Sequence, residues 1–408
     1  MKRPKRPTRN GPGRRDVLFA FAAATLGAAS ARADSPPEIR IAYLRSMERH
    51  PTISLLDAPA RNNGLAGAQL AIDDNNTTSR LLNLPGYALM DVKVRPGEDP
   101  VAALTAHAPA PPALLLCDLP AAALLKVADA LRDKSVTVFN IASPDDALRG
   151  TDCRADIINV APSRAMLADA LAQYLVWKKW TRWLLVYGSH PEDAALAAAY
   201  RRSAKRFGAR IVQERVYKDT GESRQSDSGI VQTQQEMPLF TQDAPNYDVL
   251  VAADEHEVFA GYLPYRTWDP RPVAGSAGLR PTSWDPSSQS WGGAQLQDRF
   301  ERHFHRNMSP LDMQAWTAVR MIGEAASHTG SADPKAILAY MKGPDFAVAA
   351  YKSEKLTLRP WDWQLRQPIL LSDGRTVVSV SPQKGFLHQV TELDTLGIDR
   401  PESTCKFK

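Results

Sequence analysis

The sequence is poor in what common catalytic folds require. Three cysteines stand among 408 residues. None has CxxC or Cys/His spacing, so nothing indicates a thiolate zinc site. No GxGxxG follows the first expected strand and no GxxxxGK[ST] occurs, which removes dinucleotide and P-loop phosphate binding. The segment "GSAG" at 275–278 lacks the spacing of a GxSxG nucleophile elbow. HExxH is missing. His303 and His305 lie two residues apart, so on a helix they face nearly opposite ways and cannot share a metal. No repeat of 20–50 residues is visible.

Nor is there an excess of one charge over the body of the chain. Residues 1–33 hold a basic start, an apolar stretch and the small-residue pattern Ala31-Arg32-Ala33, which together read as a cleaved export signal. Arg14-Arg15 before Val17, Leu18 and Phe19 fits the twin-arginine type. The apolar run is too short and alanine-rich for a membrane anchor. This segment carries 8 of the 50 Lys and Arg and 1 of the 45 Asp and Glu, leaving 42 basic and 44 acidic residues, a net charge of −2. The basic isoelectric point thus belongs to the signal, and no basic stripe remains to bind nucleic acid.

Export leads to an oxidising compartment, where one disulfide and one free thiol are expected. Cys117 lies in the apolar run "PALLLCDLP" and reads as a small core hydrophobe. Cys153 and Cys405 lie in polar, loop-like sequence, and the expected bridge joins them.

The body alternates short apolar strands with amphipathic segments. Strands are expected at 38–44, "YALMDVKV", "PALLLCDL" and "SVTVFNIAS", with helices at 63–76, after Asp99-Pro100, and at "PAAALLKVADALRD". A second series follows. It has a helix over 163–180 capped by Ser163, the strand "RWLLVYGS", a helix ended by Gly208, and the strands "RIVQERVYK", "YDVLVAAD" and "PVAGSAG". Residues 219–246 read as a long loop with at most a helix turn. Helices at 291–307, 311–329 and 333–343 precede a hairpin around Asp373-Gly374. The fold class is α/β, with two lobes that are each a mostly parallel sheet flanked by helices.

Several segments carry a resemblance. The order of elements, with "PLDMQAWTAVRMIGEAASHTGSADPKAILAYMKG", resembles the type I periplasmic substrate-binding proteins of ABC transporters, of the branched-chain amino-acid-binding kind. The segments "FNIASPDDALRGTDCR", "APSRAMLADALAQYL", "RSAKRFGA", "RPWDWQLRQPILL" and "GFLHQVTELDTLGIDRPESTC" resemble the branch that accompanies PQQ-dependent alcohol dehydrogenase systems. The resemblance implies three interlobe crossings, near 160, 285 and 345. One lobe would comprise 38–160 plus 286–345, the other 161–285 plus 346–390, and 391–408 would be a tail along the surface. It also implies a periplasmic, monomeric, non-enzymatic protein without cofactor. Such a protein closes over a small ligand and delivers it to an inner-membrane permease, with a periplasmic dehydrogenase system as a further partner.

In open α/β sheets ligands bind beyond the carboxyl ends of the strands. The residues expected there are Tyr43, Arg45, Asp118, Leu119, Asn140, Ser143 and Asp145 in the first lobe. Those of the second are Tyr187, His190, Asp254, Glu255, Arg280 and Trp284. The amino-acid-binding relatives resemble one another in small hydroxyl- and glycine-rich loops that hold a carboxylate. Here the matching stretch is "CDLPAAAL". Pro120 removes a donor and Asp118 repels an anion, which favours a neutral or cationic ligand. A second reading makes Asp118, Asp145, Asp146, Asp254 and Glu255 oxygen ligands of calcium or, given the branch, of a lanthanide. A third is a ligand-free accessory or scaffold protein of the dehydrogenase system. His190 with Glu192 and Asp193, and His256 with Glu255 and Glu257, could form acid–base sets but fit helix starts better. For "FNIASPDDALRG" two readings stand: Asp145 and Asp146 touch ligand, or they stabilise a helix begun by Ser143.

Overall fold

The apolar runs form strands because both faces of each are covered by helices, which leaves no polar face to alternate with. The structure, a computed structural model, describes residues 38–48, 52, 58–108, 110, 112–219 and 227–407. The export segment expected over 1–33 lies outside the described residues.

The first half runs β1 (Glu38–Ser46), α1 (Leu65–Leu82), β2 (Gly86–Val94), α2 (Pro100–His107), β3 (Leu114–Asp118), α3 (Ala121–Leu131), β4 (Thr137–Asn140) and β5 (Ile157–Asn159). Its five strands form a parallel sheet in the order β2-β1-β3-β4-β5. The chain then enters α4 (Arg164–Trp177), β6 (Arg182–Gly188), α5 (Pro191–Phe207), β7 (Arg210–Tyr217), α6 (Asp227–Thr241), β8 (Val249–Ala253), α7 (Leu263–Arg266) and β9 (Val273–Gly275). These strands form a second parallel sheet, β7-β6-β8-β9. After them come β10 (Arg280–Thr282), α8 (Gly293–Phe304), α9 (Pro310–Thr329), α10 (Pro334–Met341), β11 (Val348–Ala349), β12 (Lys355–Leu356), β13 (Ile369–Ser372) and β14 (Val377–Ser381). The strands β10, β13 and β14 make a small antiparallel sheet.

Each parallel sheet buries apolar residues on both faces. In the first, Ile39, Ile41 and Tyr43 pack towards α1 and α9, while Ala42 and Leu44 pack towards α2 and α3. In the second, Trp183 and Leu185 face α4 and α5, and Leu184 and Val186 face the side of α6 and α7. Helices α1 and α9 lie very close. A β-carbon on Gly67 would stand 1.9 Å from the Asp312 carbonyl oxygen, so only glycine fits there.

Several caps form as the residues predict. Asp99 accepts from the Val101 N–H, Ser163 from the Met166 N–H, and Gly208 ends α5 in the left-handed region. The expected disulfide is present between Cys153 and Cys405, and Cys117 is a buried free thiol.

Other expectations are corrected. Residues 227–241, read as loop, form α6 despite Pro238 inside it. Helix α1 continues past 76 to Leu82, so Asp74 is interior and accepts from the Trp316 indole N–H at 3.1 Å, besides pairing with Arg299. Phe346, Val348, Ala350, Leu356, Leu358 and Leu365 pack into the first core, so 346–365 joins the first lobe rather than the second. Trp361 and Trp363 lie in a turn, not on one strand face. The tail is not wholly superficial. Leu393 and Leu396 are buried, and buried Asp394 accepts from Arg359 at 2.9 Å and Arg366 at 2.8 Å.

Candidate functional site

Parallel strands carry their carboxyl ends to one edge of a sheet. The two edges here are linked by a residue that the sequence reading missed. Arg164 is the first residue of α4, where the chain leaves the first sheet. Its Nη1 donates to Asp145, beyond β4, at 2.8 Å, and its Nε and Nη2 donate to Glu255, beyond β8, at 2.6 and 2.7 Å. One guanidinium therefore spans from the first lobe's strand ends to the second's. Its fork geometry suits such a double engagement. Burial favours the neutral form of Asp145, but the Arg164 contact outweighs it and holds the carboxyl below its usual range. For Glu255 burial wins and pushes the carboxyl up against the same partner. The strand ends of the two sheets are thus joined through one arginine.

In the first lobe, Tyr43, Arg45 and Asp118 share one sheet face, since Tyr43 pairs with Leu116 and Arg45 with Asp118 in parallel register. Arg45 is paired with an acid on the neighbouring strand. It donates twice to Asp91, at 2.8 and 2.9 Å, and to the Arg61 carbonyl at 2.7 Å. Its charge also acts on Asp118 and favours the ionised carboxyl there. Burial pushes the Asp118 carboxyl up to about 7. The buried Tyr43 hydroxyl acts on it as an O–H donor, which favours the ionised carboxyl without outweighing burial. Above them lies the start of α1. Gly64 has φ 75°, and a β-carbon there would stand 2.2 Å from the Tyr43 oxygen. The free N–H groups of α1 are met from another helix, because Asp312 accepts from Gly64 at 2.8 Å and Gly67 at 3.3 Å. Asp312 also takes both Nη groups of Arg306. The Ser309-x-x-Asp312 capping pattern was the sequence signal for this residue.

The stretch "FNIASPDDALRG" resolves differently from either expectation. Residues 146–149 form a single 3-10 turn, not a longer helix. Asp146 accepts from the Ala165 N–H at 3.0 Å, so it stabilises the first turn of α4 rather than its own helix. Ser143 donates to Asp145 at 2.7 Å. Asn140 is buried and its amide is spent on Ser143 and Asn159. Arg149, which the sequence reading left without a role, is buried. It donates to Gln364 at 2.7 Å and to the carbonyls of Ser143, Asp145 and Ala161 at 3.0, 2.9 and 2.6 Å. Burial pushes its guanidinium down to about 10.

In the second lobe Asp254 and Asp193 are held by backbone N–H groups. Asp254 accepts from the N–H groups of Val258, Phe259 and Ala260 at 2.9, 2.7 and 2.7 Å. Asp193 accepts from His190 at 3.3 Å and His256 at 3.0 Å. The His190 and His256 rings stack at 3.8 Å, and His190 pairs with Asp219 at 2.8 Å. Tyr187 lies under the Arg201 guanidinium, 5.1 Å from its ring centre.

Three expected cleft residues stand elsewhere. Trp284 is buried in the first lobe's core, Leu119 in the core on the other face of that sheet, and Arg280 is exposed on β10. Trp284 and Leu119 are large apolar side chains, which gain more from burial in a core than from a solvent-facing edge. The metal reading loses its donors. Asp145 and Glu255 are held by Arg164, Asp146 by α4 and Asp254 by three N–H groups. Among the described residues no group of three or more His, Cys, Asp or Glu is arranged to hold a metal ion. No helix among them is long and apolar enough to cross a membrane.

Comparisons with known proteins agree with this geometry. Residues 113–235 match the family model described as periplasmic binding protein. No curated protein matches the chain. Among solved structures, a leucine-, isoleucine-, valine-, threonine- and alanine-binding protein from Brucella ovis, in a closed conformation, is 14% identical with a TM-score of 0.64. That match covers 92% of this chain and 99% of the other. A branched-chain amino-acid ABC transporter ligand-binding protein from Burkholderia xenovorans is 18% identical, TM-score 0.62, over 85% and 92%. A solute-binding protein of an ABC transporter from R. palustris, solved with benzoate, is 10% identical, TM-score 0.62, over 91% and 100%. The chain has the two-lobe α/β fold of the type I periplasmic binding proteins.

Proposed function

We propose that this chain is an exported solute-binding protein of an ABC importer. It takes a small ligand between its lobes by hinge closure and presents the closed form to an inner-membrane permease. The observation that carries this reading is Arg164, whose guanidinium ties Asp145 at the first lobe's strand ends to Glu255 at the second's. A cleft bounded by the carboxyl ends of two parallel sheets is where such folds bind ligands. The segments that resemble the branch accompanying PQQ-dependent alcohol dehydrogenases support a role in periplasmic alcohol oxidation, as a monomer. The solute is neutral or cationic, because Asp118 stands where an anion would have to lie. No enzymatic role is proposed, since the acid–base candidates are spent on structure: Asp193 caps α5 and His190 is paired with Asp219.

The test is mass spectrometry and metal analysis of the protein purified from its own host's periplasm. We expect one small organic molecule at near-stoichiometric occupancy. A preparation with no small molecule, whose small-angle scattering is unchanged by periplasmic extract, would overturn the reading in favour of a ligand-free accessory protein.

A further inference from the structure

Resting on the hinge-closure reading, we propose that the C-terminal tail is a strap that limits how far the two lobes swing apart. Apolar side chains change core three times along the chain: between Val160 and Met166, between Leu279 and Trp284, and between Leu365 and Ile369. These are the hinge crossings. The tail crosses a fourth time, and it is fastened on both sides.

On the second lobe the fastening is a set of non-covalent contacts. Leu396 is buried in the core that α4 and α5 share. The Gly397 N–H donates to Asp169 of α4 at 2.8 Å, and the Gly397 carbonyl accepts from Arg202 and Arg206 of α5 at 2.9 and 2.7 Å. Glu402 accepts from Arg202 at 2.8 Å. On the first lobe the fastening is covalent. Cys405 is bonded to Cys153, in the stretch between β4 and β5. Beside the bond, Thr404 closes against Gly150, and the Phe407 ring stacks on Trp363 with centres 5.6 Å apart. Trp363 in turn packs against the first lobe's core. The start of the tail is pinned beside the third crossing, where Arg359 donates to Asp394 at 2.9 Å. A contact so close to a crossing moves little when the lobes swing.

The free length is short. Only Ser403 and Thr404 lie between Glu402 and Cys405, so the two attachments stand at most about 11 Å apart. Ser403 is already extended, with φ −69° and ψ 130°, which leaves little slack. A swing beyond that reach must first strip Glu402 and Gly397 from the α5 arginines, and such charge-assisted hydrogen bonds are the strong kind. A shorter swing leaves fewer open states to be lost when a ligand is bound, which favours tighter binding.

The experiment is small-angle scattering of the ligand-free protein, with two variants set against the oxidised wild type. Cys405→Ser cuts the strap. A slack variant keeps the disulfide but carries Gly-Ser-Gly inserted between Ser403 and Thr404, which adds about 10 Å of reach. We expect both to raise the radius of gyration by on the order of 1 Å, against about 21 Å for a compact chain of this size. Cys405→Ser also loses the stabilisation of a long disulfide loop, whereas the slack variant keeps it. The slack variant therefore separates a strap from a bond that only holds the tail in place, and it decides the matter if Cys405→Ser loosens the fold. A slack variant as compact as the wild type would overturn the inference. So would a folded Cys405→Ser protein of unchanged radius. None of these outcomes touches the importer reading, which stands or falls on the co-purified solute.

Discussion

The two strand-end edges use their carboxylates in opposite ways. In the second lobe Asp254 is ringed by three backbone N–H groups, and Asp193 by two. In the first lobe Asp118 has only side chains near it, the Tyr43 hydroxyl and the Arg45 charge, and burial still pushes its carboxyl up to about 7. Buried carboxylates with full donor sets are parts of the architecture. One without them costs free energy in the isolated protein. The comparison sets carboxylates capped by backbone N–H groups against one that has only side chains near it, although both lie at the same topological position.

The sharpest way to break the comparison is at Asp254. Asp254→Ala strands three N–H groups in a buried turn, so it should destabilise the protein by about 3 kcal/mol or more. A urea midpoint measured at neutral pH reports this. If Asp254→Ala were no worse than Asp118→Ala, the distinction between backbone-capped carboxylates and Asp118 would fail.

Arg164 tests the edge where the lobes meet. Arg164→Ala leaves Asp145 and Glu255 unpaired, one on each side. Both carboxyls are partly reached by solvent, so the expected loss is smaller, about 1–3 kcal/mol. Because the residue also joins the lobes, small-angle scattering should show a larger radius of gyration for the variant. An unchanged radius would mean that the arginine only stabilises α4, and that the edges are held together by other contacts.

Much of this was legible in the sequence, and the exceptions have physical causes. Apolar runs such as "LLLCD" and "VLVAA" announce buried parallel strands, and Asp99-Pro100 announces a helix start. Local chemistry also placed Asp118 at a strand end. What stayed hidden depends on partners distant in the chain. Arg164 is 91 residues from Glu255, and Asp312 is 248 from Gly64. Asp146 looked like a cap for its own helix, yet serves one that begins at Arg164, 18 residues later. Helix α6 escaped because its residues show no clean apolar stripe and include Pro238. Trp284 looked like a cleft aromatic because its strand ends nearby, but a tryptophan contributes most where it is fully buried.

The finest test is the pH dependence of Asp118 itself. An unfolded aspartate titrates near pH 3.9, whereas burial holds the folded carboxyl up to about 7. Between those values the folded state binds more protons than the unfolded one. Stability contributed by the protonated form is therefore complete below the unfolded value and is lost as pH rises to about 7. Asp118→Asn removes this titration while keeping the shape of the side chain. Wild type and variant should be close in stability at pH 4. At pH 8 the variant should be the more stable by about 1–2 kcal/mol, a figure that allows for solvent reaching the carboxyl. Equal slopes of stability against pH in the two proteins would show that burial does not raise the Asp118 carboxyl. The difference between the two edges would then vanish where it matters most for binding.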